Sequence, residues 1–475
     1  MTKVKDSLLK LKNLSVDDIL VGLVYLFVAL LPLTYWPVIE VGFTVKFSEV
    51  VGVAAFALLI LSRFWRWVRN PEGLKLPTLR VGAMDVLLLG FWVVTGLSLT
   101  QAINIERGVA WWLWLSFYIF GVYYLVTSVI RDEKHLRGLL KTYILVAAGV
   151  AVFGIYQFFA DYLDLSFTLL QAGFGKFGGL GYPRPHAFLK EPLLFGHYLL
   201  APALFLAVSF LSRKAAFFRP WVEGLLTFLF VLVIWATLSR GAVGALLGAL
   251  VVLALSYSAF RVIKGKRFAQ VFSPVGKRFL PFLLILALAV PAYTGMTKLG
   301  LYFEDTSGVS VERATRLEKK RETALLEQNR LSLGDPRYVN WRSAWKMFKE
   351  KPLLGVGWGN FGPALTGVTE GITGHGKVFP IVNNEPLEVA VESGILGLIF
   401  YLGFSTVFAW QMLRGLWRSV AQKLYAWTPI FAGFLLSFLA LTAQFLTFST
   451  IQIGHFWLIL GLGISGWRMA SLEKK

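Results

Sequence analysis

Residues 220–258 read PWVEGLLTFLFVLVIWATLSRGAVGALLGALVVLALSYS. The apolar runs 220–238 and 241–258 each approach the length that a helix rising 1.5 Å per residue needs to cross a bilayer, and only Ser239-Arg240-Gly241 parts them. Similar runs fall near 19–38, 47–63, 84–100, 108–130, 138–160, 192–212, 279–296, 390–413, 425–447 and 455–471. Together they predict about twelve transmembrane helices. Composition agrees, because a chain of 475 residues that is 56% hydrophobic, with mean hydropathy +0.64, cannot hide that much apolar surface in one soluble core. The expected fold is an all-α polytopic membrane protein.

The net charge of +20 is topological and is no sign of nucleic-acid binding. Basic residues gather at every second turn of the chain: Arg63, Arg66 and Arg69 after the second run, Arg131, Lys134 and Arg137 after the fourth, Arg213, Lys214 and Arg219 after the sixth. Arg261, Lys264, Lys266 and Arg267 follow the eighth, and Arg414, Arg418 and Lys423 the tenth. The positive-inside bias then puts both termini in the cytoplasm and 161–191, Ser239–Gly241, 297–389 and 448–454 outside. Lys3, Lys5, Lys10 and Lys12 precede a first run with no small-residue cleavage site, so that run is read as a retained membrane helix. The expected organisation is nine membrane helices over 1–296 with an outer loop near 161–191, a large outer loop over 297–389, and three more helices over 390–475. The chain contains no Cys, which excludes structural disulfides, Cys-ligated zinc and thiol catalysis.

Long ordered loops usually carry function. In the largest, Val309–Gln328 is dense in Glu, Arg, Lys and Ala and reads as a solvated helix. A second helix follows, with Asp335 as cap, Pro336 at its first position and Lys351-Pro352 as its stop. Arg337, Trp341, Trp345 and Phe348 share one face of it, and an aromatic face serves packing or recognition. A cation in the first turn opposes the helix dipole, so Arg337 needs an anion nearby, which is either Asp335 or a phosphate group. Arg240, at the outer edge of the hydrocarbon, costs up to roughly 2.5–3.5 kcal/mol there. It either snorkels to the interface or binds a lipid-linked phosphate. Arg184, between Pro183 and Pro185, poses the same question. Three arginines on one membrane face point to a multiply charged anion. Arg342 is a further substrate-binding candidate. No Asp-x-Asp pair or His/Asp cluster offers to hold a divalent ion, so no metal and no cofactor is expected.

Ser239-Arg240-Gly241 opening a membrane helix, Arg337-x-x-x-Trp341, the Pro352…Gly355-x-Gly357 turn and Asn384-x-x-Leu387…Glu392-x-Gly394-x-x-Gly397 together resemble the shared pattern of bacterial O-antigen ligases and O-antigen polymerases. The resemblance lies in the order and placement of short motifs over nearly the whole chain. It implies a metal-independent, inverting glycosyltransferase of the GT-C type in the bacterial inner membrane, with its active site on the periplasmic face. Its donor would be a glycan on undecaprenyl diphosphate, and its acceptor a hydroxyl of lipid A-core, of another lipid-linked glycan or of a protein.

Carried over, Arg240 and Arg337 would hold the diphosphate, with Arg184 assisting. The family has a histidine where this chain has Asn383, and an amide can orient a hydroxyl but cannot take its proton near neutral pH. His375, Glu385 and His186 are the candidate substitutes, and Asn384, His375 and Glu385 count among the expected substrate-binding residues. The plainer reading of Asn383 and Asn384 is that they cap the tenth span, and of Gly394 and Gly397 that they permit close helix packing. His197 and His455 sit at or inside spans and suit packing. A secondary transporter or flippase is the rival of another class; it would show inverted repeats around a midplane site, whereas these charges sit on one face.

Overall fold

The computed structural model describes residues 15–40, 44–69, 82–165, 167–171, 173–175, 182–212, 216–263, 268–306, 336–367 and 380–472. The helix read over Val309–Gln328, the cap Asp335 and the candidate His375 lie outside the described residues. Every apolar run carries a helix: α1 Val16–Leu30, α2 Phe47–Arg69, α3 Ala83–Ser98, α4 Ile105–Val129, α5 Glu133–Tyr162, α6 Pro192–Ser212, α7 Pro220–Ala236, α8 Arg240–Ile263 and α9 Phe268–Thr306. After the large loop come α10 Pro336–Glu350, α11 Phe361–Thr366, α12 Glu385–Ala421, α13 Thr428–Gln444 and α14 Gly454–Leu472. Among the described residues seven helices are long and apolar enough to cross a membrane, and Pro220–Ala236, Arg240–Ser256 and Thr428–Gln444 are shorter apolar ones. The protein is an all-α polytopic membrane protein.

Helix starts follow local chemistry. Ser15 and Asp18 form a capping box on α1, the Asp132 side chain accepts the His135 N–H at α5, and Pro220 opens α7. The run 19–38 departs from expectation, because α1 stops at Leu30, just before Pro32. The chain then makes a small antiparallel hairpin, β1 Val38–Glu40 against β2 Thr44–Lys46, with Val38 opposite Lys46. Two other helices outrun their apolar cores: α9 continues to Thr306 and α12 begins at Glu385. Backbone hydrogen bonding does not stop where lipid does, so hydropathy places a span better than it places a helix end.

Large apolar side chains such as Leu61, Trp221, Leu255 and Leu283 stand exposed around the bundle. That arrangement suits a lipid solvent. α6 is the central post, buried along most of its length and packed by α7 and α13. Between lipid-solvated helices the attraction is mainly contact packing, which small residues favour; a Cβ on Gly433 would lie 2.3 Å from the Phe205 ring. His197 and His455 pair inside this core, Nδ1 to Nε2 at 2.7 Å.

Candidate functional site

At one end of the bundle a glycine-rich turn locks onto a break in α12. Gly394 takes φ 68° and ψ −169° inside that helix, which interrupts its ladder and leaves nearby backbone groups to be paired. The turn supplies the partners: Val356 N–H donates to the Val391 carbonyl (2.8 Å), Gly357 N–H to that of Glu392 (3.0 Å), and Ile395 N–H to that of Pro352 (2.8 Å). Gly355, Gly357 and Gly359 all have positive φ. The Glu392 carboxylate is 4% exposed and accepts Gly359 N–H (2.8 Å) and Phe361 N–H (3.0 Å). Asn360 accepts the Asn104 N–H (2.7 Å), Arg107 Nε donates to the Gly359 carbonyl (2.8 Å), and Trp358 N–H donates to Ser98 Oγ (3.0 Å). The turn therefore ties α12 to α3 and α4. Gly394 does more than admit a neighbouring helix.

Above this frame α8, α10 and α13 enclose a cavity of about 820 Å³. Arg240 and Arg337 line it, brought together from different elements. Gly241, Gly244, Ala245 and Gly248 of α8 continue it as an apolar strip, and a Cβ on Gly244 or Gly248 would meet no atom within 4 Å. The N-termini of α8 and α10 both open into it, so their dipoles add to the positive potential. Trp341 lines the wall with an indole N–H that is buried and unpaired among the described residues. Trp345, by contrast, is exposed and stacks on Phe348 at 5.6 Å, so the expected aromatic face divides between cavity and surface. Arg342 is exposed and is not among the lining residues.

Arg184 stands nearby. Its Nε donates to the Thr237 carbonyl (3.0 Å) at the end of α7, and its charge opposes that of Arg337. Burial shifts its guanidinium pKa below the ordinary value. Thr237 and Leu238, the latter at φ 53°, form the turn from which Ser239 and Arg240 start α8.

Asn383 is not among the residues that line the cavity; it takes the left-handed region, φ 58°, which Asn tolerates better than most residues. Its neighbours anchor the turn to cavity-lining elements. Asn340 of α10 donates to the Ile381 carbonyl (2.9 Å), and Asn384 Nδ2 donates to that of Leu446 (3.3 Å). Asn384 is the N-cap of α12, its side chain accepting Leu387 N–H (3.1 Å). Glu385 is 3% exposed, its carboxylate lies close to the backbone of Thr450 and Ile451, and its Oε2 is buried without a hydrogen-bond partner among the described residues. It is turned into the protein, away from the cavity. His186 is fully buried, with Nδ1 on the Leu189 carbonyl (2.6 Å) and Nε2 accepting Gln171 N–H (3.2 Å); burial lowers its pKa to about 4. It pins the 167–191 loop.

Sequence reasoning passed over Glu388, whose carboxylate accepts Val382 N–H (2.9 Å), and the clamp made by Glu392. Acidic residues spaced by three and four before a membrane run were the available signal. Among the described residues no group of three or more His, Cys, Asp or Glu is placed to hold a metal ion. Residues 225–402 match a family model described as O-antigen ligase. A search of curated proteins finds no match.

Proposed function

We propose, from the match of residues 225–402 to the O-antigen ligase family model, that the chain is a membrane enzyme of the ligase or polymerase class and moves a glycan from undecaprenyl diphosphate to a hydroxyl of lipid A-core. The observation that carries this reading is the cavity, with Arg240 and Arg337 above a strip of Gly and Ala. A lipid diphosphate has that polarity: a multiply charged head on an apolar chain. Arg240 and Arg337 hold the diphosphate, and Arg184 reinforces the positive potential. The acceptor hydroxyl enters beside Asn383, whose amide orients it toward the anomeric carbon. Attack from the face opposite the diphosphate inverts that carbon, and the arginines stabilise the charge growing on the leaving oxygen without a metal. Periplasmic placement of this end in the inner membrane follows from the charge bias of the loops.

The test is glycan transfer in detergent from an undecaprenyl-diphosphate-linked oligosaccharide to lipid A-core. Transfer by the wild type, lost in Arg240→Ala, supports the ligase. Transfer only to a second lipid-linked glycan makes the chain a polymerase, and absence of donor binding overturns the assignment.

A further inference from the structure

The glycosyl-transfer reading leaves one atom unplaced: the acceptor hydroxyl must lose a proton, and Asn383 has no basicity to take it. Glu392, Glu385, His186 and Glu388 are the candidates among the described residues, and geometry separates them. Glu392 spends both carboxylate oxygens on backbone N–H groups inside the turn. Glu385 is buried against residues 450 and 451. His186 has both ring nitrogens engaged in its own loop. Glu388 differs from all three. It is only partly buried, and its carboxylate folds back over the start of α12 to the N–H of Val382, the residue before Asn383.

We infer that Glu388 is the group that takes the acceptor hydroxyl's proton in this protein, an inference that rests on the transfer reading above. The Val382 N–H holds its carboxylate in place at 2.9 Å, and Ser449 lies close to it. Ser449 is in turn fixed by the Asn384 N–H (2.7 Å). The loop carrying Ser449 begins at Leu446 and Thr447, which line the arginine cavity, and Asn384, next to Asn383, donates to the Leu446 carbonyl, so this segment joins the Asn383 turn to the cavity wall. The charged groups facing Glu388 are Arg107 from α4 and, on its own helix, Glu385 and Glu392. Arg107 keeps a positive charge beside the acidic set. In the step, the acceptor O–H proton passes to a Glu388 oxygen while the acceptor oxygen bonds the anomeric carbon. The bond from that carbon to the diphosphate oxygen breaks, its electron pair stays on the diphosphate, and the carboxyl proton is released to water.

The experiment compares the full-length wild type with Glu388→Gln, Asn383→His and the double variant. Each is assayed in detergent across pH 5–9 with an undecaprenyl-diphosphate-linked oligosaccharide and lipid A-core or a second lipid-linked glycan. Glutamine still accepts the Val382 N–H through its amide oxygen, so the variant keeps the cap and loses only the base. The expected result is a kcat about 100-fold lower or more in Glu388→Gln, with donor KM and Tm near wild type. In the double variant activity returns in part, with its acid limb near the ordinary histidine value of about 6.5. Transfer by Glu388→Gln within about twofold of wild type, far short of general-base magnitudes, overturns the inference alone. A loss that follows a fall in Tm and is not restored by Asn383→His also overturns it, leaving Glu388 as a cap. No transfer by the wild type to either acceptor overturns the transfer reading and the inference with it.

Discussion

Arg240 and Arg337 occupy first turns of helices, where a cation is unfavourable unless an anion joins it, and both face one cavity. Replacing either with Ala is expected to weaken donor binding by about 10–100-fold, the worth of a charge-assisted hydrogen bond of about 1.5–3 kcal/mol. Lys at either position keeps the charge without the planar fork and is expected to fall between. Titration with undecaprenyl diphosphate checks both. His186 makes a different prediction. Its folded pKa of about 4 lies below the unfolded value of about 6.5, so the unfolded chain binds more protons between those values. The stability it contributes is complete above about pH 6.5 and is lost as pH falls toward 4, by about 3 kcal/mol at most. Thermal unfolding in detergent should show a steeper acid decline for the wild type than for His186→Gln.

At the scale of elements, the break in α12 and the small-residue strip of α8 respond oppositely to added bulk. A Cβ on Gly394 would lie 2.1 Å from the Leu353 carbonyl oxygen, on a backbone with φ 68°. Gly394→Ala is therefore expected to cost more than about 3 kcal/mol, because strain and a backbone clash add, and to lower Tm. Gly248→Leu adds bulk into open space and removes a glycine that costs about 1 kcal/mol within a helix. It should leave Tm unchanged or higher while abolishing donor binding. The spacing of Gly241, Gly244, Ala245 and Gly248 was readable in the sequence as one helix face. Whether that face met another helix or a cavity was not, since a small-residue stripe serves either purpose.

At the scale of the whole molecule, the absence of Cys makes topology directly testable. Single cysteines at Thr366, in the cavity-side block, and at Ser471, near the end of α14, should differ in intact cells. A membrane-impermeant maleimide should label the first and spare the second. Labelling of Ser471→Cys alone would invert the assignment drawn from the basic loops.

The sequence by itself determined the class of fold and where its helices run. In lipid a backbone must satisfy its own hydrogen bonds, so an apolar run of spanning length becomes a helix whatever its neighbours do. It also marked Arg240, because a charge at that depth requires an explanation, and Arg337, because a cation in the first turn of a helix opposes its dipole. Only the tertiary structure decided the rest. It showed that the glycine turn feeds the break at Gly394, that Asn384 is a cap, and that Glu385 is buried while the Glu388 carboxylate accepts the Val382 N–H. These outcomes depend on contacts between segments far apart in the chain, as when Asn360 meets Asn104. Local pattern carries no record of such meetings.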